Sequence, residues 1–179
     1  MSISNAGQTK LLDADGNKLV LYHGTCNVFT QFIPSKTGAQ GAGIYMTDEP
    51  SIYGDITMKL HVHMVNPFYF YPSDDSLDAP VNGELLEQVL SPEACQDLCD
   101  LMDTEGREKF TTQIQDVLKS RGHDGIIMVY PFGEPRIPGL SGSAVVIAFD
   151  PEQIEIIQEP PPAKKPRIRH SHAETTLGL

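Results

Sequence analysis

Residues 19–53 read LVLYHGTCNVFTQFIPSKTGAQGAGIYMTDEPSIY, and this stretch decides the fold. Its branched and aromatic start predicts a short buried strand that breaks at His23-Gly24-Thr25. A glycine-rich approach then leads into a second short strand at residues 44–47. The two strand ends are thereby brought together, one with a histidine and one with a tyrosine. Glycines beside both ends let a ligand approach the backbone closely, so we expect a binding site for a flat, polar small molecule.

Length and composition limit the class of protein. The chain has 179 residues, of which 40% are hydrophobic, and this predicts one domain with a packed core. No run approaches the roughly 18 apolar residues of a membrane span, and the start lacks a secretory signal, so we expect a cytoplasmic protein without membrane contact. Three cysteines argue against a disulfide framework. No Cys/His set has zinc-ligand spacing, and we predict no metal.

Charge is unevenly distributed along the chain. The formal net charge is −11, and residues 1–159 hold nine basic and twenty-three acidic residues. Such a surface repels nucleic acid over most of its area, although one site could still hold a nucleic-acid acceptor. The proline-rich tail at residues 159–179 carries four basic residues: Lys164, Lys165, Arg167 and Arg169. We predict that this tail is disordered, and that it is either inert or contacts an acidic partner.

Three further segments have the signals of strands. Residues 57–66 alternate apolar and polar side chains, which predicts a half-buried strand with His61 and His63 on its polar face rather than in a metal site. Residues 126–130 and 144–149 are short apolar runs, and both predict buried strands.

Helical spacing occupies the middle of the chain. Residues 84–101 and 103–120 are amphipathic, and Ser91-Pro92 has the cap and first-turn proline of a new helix. We see no chemistry in these helices. The predicted organisation is an N-terminal extension at 1–17, a domain at 18–158 and the tail at 159–179.

Five short motifs occur in an order that resembles a known family. They are HGT at 23–25, GAGIY at 41–45, HVHMVNPF at 61–68, GHDGII at 122–127 and FDPEQI at 149–154. The chain resembles the ADP-ribosyltransferases of the His-Tyr-Glu group over residues 19–157, and is most similar to the small bacterial and phage domains of polyvalent proteins and toxins. The resemblance implies an α+β domain in which two small antiparallel sheets meet around an NAD cleft, with helices packed outside.

The resemblance also implies which residues hold NAD. His23 would hydrogen-bond a ribose hydroxyl, the Gly24 backbone would meet the nicotinamide amide, and Thr25 would steady the turn. Tyr45 would stack on the cationic nicotinamide ring, and Tyr53 would close over its other side. The bond between nicotinamide and ribose breaks through a cation-like state, as in glycoside hydrolysis. The site must therefore hold the nicotinamide and stabilise positive charge on the ribose.

This sequence differs from the family at the third motif. A glutamate normally stands near the start of the last core strand, and Val145 occupies that position here. Ser143 is the nearest polar residue on the same strand face. Glu134, in the preceding loop, is the nearest upstream acid and is our candidate for the catalytic acid beside His23 and Tyr45. Asp48, after the second strand, is a further source of negative charge.

We therefore predict a mono-ADP-ribosyltransferase that cleaves NAD and transfers ADP-ribose to a macromolecular acceptor, either protein or nucleic acid. We expect a bacterial or phage toxin or effector, and not a chain-building polymerase, because the glutamate is missing. The missing glutamate also supports an alternative, a catalytically degenerate module that binds NAD or ADP-ribose. A further alternative is an interaction protein whose function is carried by its tail.

Overall fold

The structure is a computed structural model that describes residues 7–50, 53–72 and 82–158. Within these residues the chain forms an α+β domain, as predicted. The strands are β1 Leu21–Thr25, β2 Ile44–Thr47, β3 Ile56–Val62, β4 Phe68–Phe70, β5 Gly125–Val129, β6 Ala144–Ala148 and β7 Ile154–Ile156. The helices are α1 Asn82–Val89, α2 Pro92–Glu105 and α3 Arg107–Ser120, and a 3₁₀ turn at Pro151–Gln153 precedes β7.

The seven strands form one mixed sheet in the order β4-β5-β6-β2-β1-β3-β7. Two details differ from the expected pair of antiparallel sheets. Strand β4 runs parallel to β5. The two halves, β4-β5-β6-β2 and β1-β3-β7, are also joined, but only through the single register pair Tyr22↔Thr47 between β1 and β2. The two strands separate beyond this pair, and we refer to the gap between them as the β1–β2 split.

The sheet curls, so that the end of β3 meets the start of β5. The Asp124 carboxylate accepts the backbone N–H groups of Val65 and Asn66 at 2.6 and 3.0 Å. The Gln153 side-chain amide donates to the carbonyl oxygens of His63 and Asp124 at 3.2 and 2.9 Å. These bonds tie the two halves together at the end remote from the split. Apolar side chains from both halves consequently share one interior.

Strand alternation builds two apolar layers on the two faces of the sheet. The inner layer lies within the curl and includes Leu21, Met46 and Leu60. The outer layer lies between the helices and the half that contains β5 and β6, and it includes Ile147 and Ile114. Adjacent residues of a strand therefore serve different layers, and this decides which site residues share a face.

The helix prediction is partly confirmed. Ser91 caps α2, because its Oγ accepts the N–H of Ala94 at 3.4 Å, and Pro92 opens the helix. The predicted boundary at residue 103 is wrong, since α2 continues to Glu105. The break falls at Gly106, whose φ of 86° lies in the left-handed region that glycine tolerates best.

Other differences concern the ends of the domain. Strand β1 does not break at Gly24 but continues to Thr25, because Gly24 pairs with Thr57 of β3. Leu11, within the segment assigned to an extension, is fully buried in the inner layer, and the N–H of Lys10 donates to the Met64 carbonyl at 2.7 Å. The tail at residues 159–179 lies outside the described residues.

Candidate active site

The β1–β2 split exposes backbone hydrogen-bonding groups of Gly24. The hydroxyl oxygen of Thr47 lies 3.4 Å from the Tyr22 carbonyl oxygen, so the polar backbone groups of Tyr22 face β2. The N–H and C=O of alternate residues of a strand face the same neighbour, so those of Gly24 face β2 as well. The pairing of β1 with β2 stops at Tyr22. Gly24 therefore presents one donor and one acceptor to the split, which suits a carboxamide group.

His23 is fixed across the same split. Its Nδ1 lies 2.8 Å from the carbonyl oxygen of Tyr45. Because a carbonyl only accepts, Nδ1 carries the hydrogen, and in this tautomer Nε2 is an acceptor. Phe29 and Phe32 pack edge-on against the ring, with centroids 5.9 and 5.2 Å away. Nε2 has no hydrogen-bond partner in the part of the chain that the structure describes, so it is available to a ligand hydroxyl.

A groove of about 700 Å³ opens beside His23. Met58, the cross-strand partner of His23, lines the groove with Phe29 and Phe32, and Ile154 and Ile156 of the neighbouring strand β7 add to the apolar lining. Sites for small molecules and cofactors typically enclose roughly 300–1,000 Å³. The groove has that volume, and its lining also contains five polar residues: Thr30, Gln31, Asp150, Glu152 and Gln158.

Tyr45 holds the glycine-rich loop before β2. Its hydroxyl donates to the Gly41 carbonyl at 2.7 Å and accepts the N–H of Gln40 at 2.9 Å. Its ring occupies the space above Gly38, where a Cβ would come within 2.3 Å of the ring. Burial raises the pKa of Tyr45 to about 12, so the phenol is protonated at neutral pH. The hydroxyl is fully used, and only the half-buried ring is left for a ligand.

The structure joins His23 and Tyr45 through a backbone carbonyl rather than side chain to side chain. His23 packs against Phe32 of the inner layer, whereas the Tyr45 side chain packs against the outer layer. The hydroxyl of Thr25 accepts the N–H of Asn27 at 3.2 Å and stabilises the turn after β1. A ligand that touches both His23 and the Tyr45 ring must therefore lie across the β1–β2 split.

An aromatic cluster, defined by Tyr53, Tyr130 and Phe132, stands near the split. Tyr53 is 72% exposed and sits beside Thr25, because the Cα of Gly54 packs so closely on Thr25 that a Cβ there would lie 2.4 Å from its carbonyl oxygen. Burial, and secondly the nearby Tyr53, raise the pKa of Tyr130. Tyr130 stacks on Phe132 with centroids 5.1 Å apart. Tyr53 therefore lies near the end of β5, a proximity that sequence reasoning missed.

Val145 occupies the position at which the family resemblance predicts a glutamate. Val145 is half-buried and lies between Thr47 of β2 and Met128 of β5. Glu134 is exposed in the loop after β5, next to Gly133, which packs on Ser143. Among the described residues, no hydrogen bond or ion pair joins Glu134 to another side chain.

The acid nearest to Val145 in the backbone is Asp48. Its side chain is buried, and its Oδ2 accepts the N–H of Ala144 at 2.9 Å. Burial raises the pKa of this carboxyl, and Arg136 and the Ala144 hydrogen bond oppose that shift. Asp48 therefore anchors the start of β6 and is not free to face a substrate.

The rest of the described chain adds little chemistry. His61 places Nδ1 3.1 Å from the Leu19 carbonyl and belongs to the domain scaffold. In the described ranges, no group of three or more His, Cys, Asp or Glu residues is arranged to hold a metal ion. Over the same ranges, no helix is both long and apolar enough to cross a membrane.

Comparison with known families shows to which class this domain belongs. Residues 13–162 match the family described as ADP-ribosyltransferase in polyvalent proteins. The match spans most of the chain, so the chain belongs to this family and forms an ADP-ribosyltransferase domain. Domains of this class use NAD as a substrate. Neither the curated proteins nor the solved structures include a match.

Proposed function

We propose that the protein is a mono-ADP-ribosyltransferase that cleaves NAD and transfers one ADP-ribose unit to a macromolecular acceptor. The arrangement of His23 is the main support. Its imidazole is fixed by the Tyr45 carbonyl, and Nε2 has no partner among the described residues. The backbone groups of Gly24 that face β2 and the exposed ring of Tyr53 lie nearby. NAD would then lie across the split, with its adenosine half in the groove beside His23 and its nicotinamide toward Tyr53.

Each group has one task in this arrangement. The Gly24 N–H donates to the carboxamide oxygen of nicotinamide, and the Gly24 carbonyl accepts from the carboxamide nitrogen. His23 Nε2 accepts a hydrogen bond from a ribose hydroxyl. Tyr53 covers the cationic ring, the Tyr45 ring closes the other side, and Thr25 keeps the turn in place.

The reaction breaks the bond between the ribose anomeric carbon and the nicotinamide nitrogen. The bonding electrons leave with neutral nicotinamide, and positive charge develops on the ribose. A nucleophilic acceptor atom then attacks the anomeric carbon and loses its proton. Glu134 is our candidate for the negative charge that opposes the developing cation, because its glycine- and proline-rich loop can carry it toward the cleft.

The biological role of this activity is proposed from the motif resemblance. We propose a toxin or effector of bacterial or phage origin that acts in the cytoplasm. The acceptor is a protein or a nucleic acid, and an acidic partner could engage the basic tail.

A release assay tests the proposed activity. Purified protein incubated with NAD should release nicotinamide, and His23→Ala should release much less. When labelled NAD is supplied with a cell lysate, label that resists nuclease and is lost with protease identifies a protein acceptor, and the reverse pattern identifies nucleic acid. Labelled chains longer than one unit would contradict single-unit transfer.

A second candidate function is supported by Val145. Without a fixed acid near the ribose, the domain could bind NAD or ADP-ribose and leave it intact. Calorimetry and the release assay together separate the two functions. A binding module would bind NAD in calorimetry but would release no nicotinamide in the presence of lysate.

A further inference from the structure

Next to Val145, one polar side chain has no hydrogen-bond partner within the described part of the chain. Thr47, its partner on β2, donates its hydroxyl to the Glu49 carbonyl at 2.6 Å. Ser143 donates its hydroxyl to the Phe132 carbonyl at 3.1 Å. Met128, the partner on β5, is apolar. Tyr130 is the next residue on that face of β5, and its hydroxyl has no hydrogen-bond partner among the described residues.

Register places Tyr130 diagonally beside Val145. Met128 pairs with Val145, and the N–H of Tyr130 donates to the Ser143 carbonyl at 2.9 Å, so the ladder continues to Tyr130. Diagonal neighbours on one face of a sheet lie roughly 7–8 Å apart, within reach of an aromatic side chain. Phe132 stacks on the Tyr130 ring, and Tyr53 is near enough to raise the pKa of Tyr130. Tyr130 therefore stands beside Val145 with Tyr53 in its vicinity.

We propose that the Tyr130 hydroxyl binds the 2′-hydroxyl of the nicotinamide ribose, at the place where a glutamate would otherwise do so. This inference rests on the proposed function. In glycoside cleavage, hydrogen bonds to the hydroxyl beside the reacting carbon strengthen in the transition state. A phenol can accept such a bond without carrying charge. Tyr130 then orients the ribose, and another group supplies the negative charge.

A neutral phenol also explains single-unit transfer. Burial and Tyr53 keep the pKa of Tyr130 above its ordinary value, so the group is protonated at neutral pH. A protonated phenol is a poor base for removing the proton of a ribose hydroxyl that would serve as the next acceptor. The arrangement therefore favours transfer of one unit over chain growth.

The test compares ligands that differ only in that hydroxyl. Binding to the full chain is measured by calorimetry with NAD and with its analogue that lacks the 2′-hydroxyl on the nicotinamide ribose. Wild type should prefer NAD by at least about tenfold, as expected for one hydrogen bond in a partly buried site. Tyr130→Phe, which keeps the ring packing, should lose most of that preference. Tyr69→Phe, at a tyrosine of β4 that is 36% exposed, should keep it.

The outcomes separate the inference from the proposed function. A Tyr130→Phe protein that prefers NAD as strongly as wild type would overturn the inference, as would a wild type with no preference. If nicotinamide release persists in wild type in either case, the proposed function still stands. If the preference depends on Tyr130 but wild type releases no nicotinamide, the inference stands and the proposed enzymatic function fails.

Discussion

Two parts of the candidate site, which we call its two sides, are built differently. On the side formed by β1 and β2, His23 is held by a 2.8 Å hydrogen bond and the Tyr45 hydroxyl by two. On the side formed by β5, β6 and their connecting loop, Val145 stands where the family resemblance predicts an acid, and Glu134 is exposed without an ion pair among the described residues. Under the proposed function, the domain therefore separates the residues that hold NAD from the supply of negative charge.

The physical basis of this difference is what each task requires. The proposed contacts with NAD use backbone groups and an imidazole, which the opening between β1 and β2 provides. A catalytic carboxylate needs a position that is close to the ribose and yet tolerant of charge. Asp48, the buried acid that anchors the start of β6, is already bound to the N–H of Ala144. Under the proposed function, the charge therefore comes from a loop or from the acceptor.

The largest expected effect is on the β1–β2 side. His23→Ala should lower nicotinamide release about a hundredfold, or about 2.7 kcal/mol, because the ribose loses its fixed acceptor. His61→Ala is the matched control, since His61 also bonds a backbone carbonyl through Nδ1 but lies away from the split. Both variants should retain a cooperative thermal transition. Equal nicotinamide release by His23→Ala and His61→Ala would show that the reaction does not take place at the β1–β2 split.

The opposite side is tested with Glu134→Gln. We expect turnover to fall at least about tenfold with the KM for NAD nearly unchanged, the pattern of lost transition-state stabilisation. Glu87→Gln, an exposed carboxylate on α1, should behave as wild type. Unchanged turnover in Glu134→Gln would dismiss Glu134 and leave the acceptor as the source of charge, which would sharpen the contrast between the two sides.

A smaller effect is expected at Tyr53. Tyr53→Ala should weaken NAD binding several-fold, or about 1 kcal/mol, whereas Tyr53→Phe should bind as wild type because the ring face carries the contact. Tyr71→Ala removes another exposed tyrosine ring, at 50% exposure, and should leave the Kd unchanged. A loss in Tyr53→Phe comparable to that in Tyr53→Ala would instead assign the contact to the hydroxyl.

The smallest effect concerns stability at Asp48. Burial is the main reason that its folded-state pKa is raised above the ordinary value of 3.8. The contribution of Asp48 to the free energy of unfolding is therefore complete at pH values below 3.8, and it is lost as the pH rises through the folded-state pKa. Asp48→Asn keeps an acceptor for the Ala144 N–H without the charge, and should raise Tm by a few degrees at neutral pH. The gain should shrink as the pH approaches 3.8.

Asp48→Ala is the contrasting variant. It leaves the Ala144 N–H unpaired and should lower stability by roughly 1–3 kcal/mol. If Asp48→Asn is less stable than wild type at neutral pH, the ionised carboxylate with Arg136 stabilises β6 instead.

Much of the fold could be read from local patterns. The alternation at residues 57–66 predicts β3, and Met58, Leu60 and Val62 are buried as that alternation requires, although the strand ends at Val62 rather than at residue 66. The strand at residues 44–47 and the Ser91 cap are confirmed. These features depend on neighbours within a few residues, so composition and spacing suffice.

The remaining features depend on residues far apart in the chain. Strands β4 and β7 have three residues each, which is too short for a periodic signal. The single register pair that opens the β1–β2 split, the use of the Tyr45 hydroxyl and the burial of Asp48 follow from how β1, β2 and β6 pair. Tyr53 and Tyr130 are brought together only when the sheet has formed. Hydrophobic periodicity determined which residues enter the core, whereas long-range pairing decided which polar groups were left free for chemistry.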